Sequence, residues 1–540
     1  MKLKATFFCL ILFITVNSAW GSEKITASDS SYTYDIMELR NSMTDPSGTT
    51  TYEYDALDRL TKITNPAGQI ITFTYDAIGK RTGLTHSTGL TASYTYDMGN
   101  RLTNLTWQMN GTPIATYTYT YDRVGNRLTM TDEYGTHTYS YDGVYQLTGA
   151  THLNQPSENY SYDPVGNRLG GTYDTANRLL EDADNVYGYN RNGNTLLKFD
   201  KATQEKMRFY WSPENQLIKI EKYHPGETSP YFISTYIYDG FGRRVAKNVN
   251  GTITKYLYDN EDILLETDNN DNVTARYTHG PGIDEPLIMQ KGGQLYYYIT
   301  DGLGSVIKLV NSVGNVVNNY AYDSFGRIVS KTEGVANSYT YTAREFDAES
   351  GLYCYRSRYF DSKIGRFLAE DKLNVAQLIL DKQSVKKGSI EAAFIDYLLR
   401  LYLTHPSLFV NGYLYARNNS INHTDPWGLW YIDINLQWGK AGGGTTGGVM
   451  ISDKGIYPYL GGGATMPGLG GGITWSSSDP TPGWNVELSI GTPAWLGVIG
   501  GYGDKHPYDT YWAVGIVSPG ISLTRYYVWE FMKFGKKDCK

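Results

Sequence analysis

Along "YTYTYDRVGNRLTMT", residues 117–131, aromatic and polar positions alternate strictly. Tyr117, Tyr119 and Tyr121 fall on one side of an extended chain, and Thr118 and Thr120 on the other. Both residue types favour strands. Asp122 is placed to cap a turn with its carboxylate, and Gly125 supplies the positive φ that reversing the chain requires. Arg127 and Leu128 then open the returning strand, so the stretch predicts one β-hairpin.

The unit recurs. Tyr-x-Tyr-Asp, once with Phe in the first place, ends at Asp35, Asp55, Asp76, Asp97, Asp122, Asp142 and Asp163, and again at Asp239, Asp259 and Asp323. Degenerate copies lie at Tyr189-Asn190 and Tyr341-Thr342. A period near twenty residues with period-two alternation predicts stacked strand units, because a helical repeat would place its apolar residues every 3.6 positions. The expected fold class is all-β.

Past Leu429 the pattern changes. Residues 430–540 hold 23 of the 58 Gly and seven of the 11 Trp. "WYIDINLQW", "WNVELSIG" and "ISLTRYYVWEF" predict strands, and the Gly-rich stretches between them, such as "GGGTTGG", read as turns. A separate Gly-rich antiparallel β domain is expected there. Before it, Ile390, Phe394, Tyr397, Leu398 and Leu401 fall at helical spacing and predict one amphipathic helix inside 374–410.

Composition narrows the function. A net charge of −7 over 540 residues gives no case for nucleic-acid binding by the repeats. The arginines after the turns are expected to stack on tyrosine rings. Lys2 and Lys4 ahead of an apolar run Phe7–Val16, with Ala19-Trp20-Gly21 behind it, predict a signal peptide over 1–21 and a secreted, periplasmic or surface location. Cys9 lies inside that run, which leaves Cys354 and Cys539, too few for a disulfide framework. In the tail His506 is the only histidine, so a two-histidine metal site is not offered and no metal or cofactor is expected. Its alternating strands are long enough for membrane contact, although a small soluble sheet explains the same pattern.

The segments "HGPGIDEPLIM" (279–289), "DGLGSVIKL" (301–309), "YAYDSFGR" (320–327), "TAREFDAESGLYCYRSRYFDSKIGRFLAED" (342–371) and "NGYLYARNNSINHTDPWGL" (411–429) follow one another. Together with the Tyr-Asp repeats, over roughly residues 30–429, they resemble the Rhs/YD-repeat family and its repeat-associated core. The resemblance implies a β-sheet wound into a shell, repeats over 22–278, a core over 279–429, and a variable domain over 430–540. It also implies a polymorphic toxin in which aspartyl-type self-cleavage follows Asp-Pro-x-Gly-Leu. Here that motif is Asp425-Pro426-Trp427-Gly428-Leu429, and the candidate scissile bond joins Leu429 to Trp430. By motif position the carboxylates are Asp371 and Asp425, with Arg366 biasing their charge. The family writes Asp-Pro after its Gly-Arg-Phe strand, and this chain has Asp371-Lys372.

Two functions stay open at this stage. One is a toxin-type shell with an immunity protein or a shell-completing partner chain, and the other is an adhesion protein binding carbohydrate. A sheet residue covers about 16 Å², so roughly 400 residues make a partial shell, too small to seal in a tail of radius near 17 Å.

Overall fold

A computed structural model describes residues 30–371, apart from 36, 38 and 154, and residues 411–428, apart from 427. Beyond residue 431 it describes eight strand segments between Ile432 and Val528. The expected signal peptide, the helix in 374–410 and the scissile pair Leu429–Trp430 lie outside the described residues. The described strands are antiparallel throughout and the sheets do not close into a barrel. The all-β reading therefore holds.

The chain divides into two compact units, Met1–Tyr94 with Trp107–Thr112, and Thr95–Thr106 with Pro113–Lys540. In the first, strands from Ser31–Tyr34 to Arg81–His86 follow each other as a meander. Its core includes Leu60, Ile63, Ile71, Phe73 and Leu84. The second unit contains a meander of the same kind ending at Glu158–Asn159, and then a 16-stranded sheet running in chain order from Thr172–Tyr173 to Ile328–Glu333.

The repeat's chemistry recurs at most of its turns. One carboxylate oxygen of Asp122 accepts the amides of Val124 and Asn126 at 2.9 and 2.8 Å, and Gly125 has φ +102°. Asp55, Asp76, Asp97, Asp142, Asp163, Asp239 and Asp323 do likewise. Where Arg stands four residues on, it binds the second oxygen, as Arg101 Nε does on Asp97 at 2.7 Å. The guanidinium then lies over a ring on the neighbour of the strand it opens, Arg101 on Tyr121 at 5.0 Å and Arg59 on Tyr75 at 5.0 Å. The tyrosine before the Asp contributes its hydroxyl: Tyr121 donates to Leu102 O, and Tyr75 to Leu60 O, both at 2.7 Å.

Two readings of the repeat change. Asp259 does not open such a loop: it pairs with Asp262 across a tighter turn in which Asn260 takes φ +51°. Conversely, Asp174, Asp268, Asp301, Asn190, Ser212 and Asn311 build the same bonded loop, and all but Asn190 stand outside the Tyr-x-Tyr-Asp copies. The loop needs a short acceptor and a left-handed residue three places on, whatever precedes it.

In the tail, the Gly-rich stretches read as turns are themselves strands. Gly443–Ser452 pairs with Ile432–Lys440 on one side and Gly455–Thr465 on the other. Glycine has little strand preference alone, and pairing on both sides overrides it. The eight strands order as fourth-first-second-third, then eighth-fifth-sixth-seventh. Each quartet is a Greek key.

Candidate functional site

The site begins with a four-stranded sheet, Glu345–Asp347, Leu352–Tyr355, Arg358–Asp361 and Arg366–Phe367. Tyr341, Tyr353, Tyr355, Phe360, Phe367 and Tyr415 form a buried cluster about it. The 411–422 segment is fastened to the repeat turns by asparagines. Asn411 Nδ2 donates to Asn167 Oδ1 at 2.7 Å, Asn418 Nδ2 to Gly166 O at 2.8 Å, and Asn419 Nδ2 to Asn126 Oδ1 at 3.2 Å. The Asn of the Gly-Asn-Arg turns thus receives the closing segment. Ala416, Arg417 and Asn418 hold consecutive positive φ of 46°, 53° and 60°, a strained turn that this fastening maintains.

Asp371 and Asp425 converge on one guanidinium, that of Arg358. Its Nη2 lies 2.9 Å from Asp371 Oδ2 and 3.4 Å from Asp425 Oδ2. Nη1 donates to Gly412 O at 2.6 Å, and Nε donates to Gly428 O. Arg358 is 2% exposed and lies 3.7 Å over the Phe367 ring. Arg356 donates to Pro426 O at 2.6 Å and to Asp284 at 2.8 Å, and Asp284 also binds Arg344. The Asp425–Gly428 turn is therefore held by its carbonyls between two arginines. Gly428, at φ +62°, brings its Cα so close that an added Cβ would lie 2.7 Å from Tyr355 O.

Arg366 lies elsewhere. It is buried, donates to Asn167 Oδ1, Asn177 O and Asn411 Oδ1, and faces the rings of Tyr173 and Tyr413. Burial holds its guanidinium below the usual range. Arg358 is the cation that meets the two carboxylates. The signal for it is the Arg-x-Arg of "YRSRYF", in which Arg356 sits in the two-residue turn and Arg358 opens the returning strand.

Paired carboxylates around one cation suit aspartyl hydrolysis, in which the pair holds a single proton and divides the roles of base and acid. Among the described residues there is no cluster of three or more His, Cys, Asp or Glu that could hold a metal. Cys354 is a buried free thiol, which burial pushes up and so makes unreactive. Among the described residues no helix is long and apolar enough to cross a membrane.

Residues 128–389 match the Teneurin YD-shell family, and residues 39–70 and 54–91 match the RHS repeat. The tRNA nuclease WapA of Bacillus subtilis (strain 168) is 30% identical over 309 residues, 54% of this chain and 12% of WapA. The double-stranded DNA deaminase toxin A of Burkholderia cenocepacia (strain H111) is 23% identical over 48% of this chain and 20% of its own. This chain thus spans a small part of these relatives. The crystal structure of TcdB2-TccC3-Cdc42 shares the fold over 74% of this chain and 21% of its own, at 17% identity and TM-score 0.52. With the repeat turns, the matched segments and the shared fold together, the chain belongs to the Rhs/YD-repeat family.

Proposed function

We propose that this is a toxin-type Rhs shell protein that releases its 430–540 segment by cutting between Leu429 and Trp430. The observation that carries the reading is the convergence of Asp371 and Asp425 on Arg358, beside a turn whose carbonyls are already gripped. Asp371 and Asp425 serve as acid and base, and Arg358, in place of Arg366, balances their charge. The N-terminal segment directs export, and a partner chain completes the partial shell. An immunity protein neutralises the released segment.

The adhesion reading has less support, because the rings and guanidinia it requires are engaged within the sheets: Tyr117 and Tyr119 are buried, and Arg127 lies over Tyr119 at 4.4 Å. Intact-mass spectrometry of the purified full chain tests the proposal. A fragment beginning at Trp430 is expected, lost in Asp371→Asn, Asp425→Asn and Arg358→Gln and retained in a folded Arg366→Gln. A wild-type chain that stays whole after long incubation rejects it.

A further inference from the structure

Two histidines meet where the strand Glu158–Asn159 approaches the turn after Tyr322. His137 Nδ1 lies 2.6 Å from His152 Nδ1. Outward from this contact, His137 Nε2 lies 3.3 Å from Asp132 Oδ1, and His152 Nε2 lies 2.8 Å from Glu158 Oε1. Both histidine side chains are almost fully buried, at 6% and 5% exposure. Glu158 then accepts the backbone amide of Ser324 at 3.1 and 3.2 Å, its hydroxyl at 3.1 Å, and the Tyr160 hydroxyl. Tyr160 packs edge-on against Phe325 at 5.1 Å, and Arg168 covers both rings, at 4.5 and 3.9 Å.

Counting protons fixes the state of this chain of contacts. Ionised carboxylates only accept, so both outer nitrogens must donate. Two neutral imidazoles have no proton left for the inner contact, and two lone pairs would face each other at 2.6 Å. A third proton makes that contact a hydrogen bond, whichever histidine or carboxyl carries it. A fourth sets two N–H groups against each other and breaks it.

We propose that His137 and His152 form a buried proton-binding site that latches Glu158 to the Ser324 turn near neutral pH and releases it in acid. The other charged groups around the pair are Glu133, bonded to Lys308 at 2.7 Å, and Asp323 in the latched turn, which burial and Glu158 push up. Burial opposes the charge on Glu158, but the bonds from His152, Tyr160 and Ser324 outweigh it and hold its carboxyl below the usual range. That contribution is present above the ordinary carboxylate range and is lost only in stronger acid, so release in mild acid belongs to the histidines. The sign follows from proton uptake. In mild acid two free histidines bind two protons and the latched pair only one, so opening is favoured once pH falls below the free-histidine value of about 6.5.

Hydrogen exchange of the full chain at pH 6.5 and pH 5, corrected for intrinsic rates, tests this at the 323–327 turn. The 239–243 turn, built on Asp239 in the same way but with no histidine bonded to it, is the internal reference. Exchange at 323–327 is expected to rise about tenfold in acid relative to the reference, and His152→Gln should abolish that rise. An unchanged rise in the variant overturns the proposal. If the variant does not fold, the wild type decides: equal pH response of the two turns overturns it.

Discussion

Gly125 and Gly326 occupy the same position of the repeat turn, with φ +102° and +85°, yet their surroundings differ. A Cβ on Gly125 meets nothing within 4 Å. On Gly326 it would lie 2.3 Å from Cδ1 and 2.5 Å from Cγ of Tyr341. That ring is 3% exposed among Tyr353, Tyr355 and Tyr415, and Gly326 O is tied to the Tyr353 hydroxyl at 2.7 Å. Gly125→Ala therefore costs only the left-handed backbone, about 1–2 kcal/mol. Gly326→Ala carries the same term plus overpacking of about 1–3 kcal/mol. Gly125→Asn should cost least, since Asn100, Asn177 and Asn215 fill this position naturally at φ near 60°. Equilibrium urea unfolding followed by tryptophan fluorescence gives the three midpoints. Equal shifts for the two alanine variants would refute the claim that Tyr341 packs against the turn. No shift for Gly125→Ala would refute the left-handed turn itself.

The repeat hydroxyls give a second expectation: Tyr121→Phe leaves Leu102 O without its 2.7 Å donor and should cost about 1 kcal/mol, read from the same urea midpoints. His86 is 1% exposed, and burial pushes it down to about 3. Its neutral form thus contributes stability above the ordinary histidine value near 6.5, which is lost progressively as pH falls toward 3. Wild type should accordingly lose more stability between pH 7 and pH 4.5 than a His86→Asn variant, and equal losses would show that this histidine is not held neutral.

Tyr-Thr alternation, the turn Asp and the glycine three residues on determine hairpins locally, because strand period and turn conformation are properties of neighbouring residues. Those elements, and the all-β class they build, were readable without coordinates. The resemblance names Asp371 and Asp425 together, and the fold sets each beside Arg358. The turns at Asp301 and Asn311 were not readable in the same way, since their capping acceptor stands outside the Tyr-x-Tyr-Asp signature. Nor was the strand at Gly443–Ser452, which exists because two neighbours pair with it. The cation was assigned by motif to Arg366, and tertiary structure put Arg358 in its place, because only packing decides which of several buried guanidinia meets two carboxylates 54 residues apart in sequence. The contact of His137 with His152, and its reach to Ser324, is likewise a product of the fold. Sequence spacing fixes what touches along a strand, whereas chain segments far apart meet only where burial brings them together.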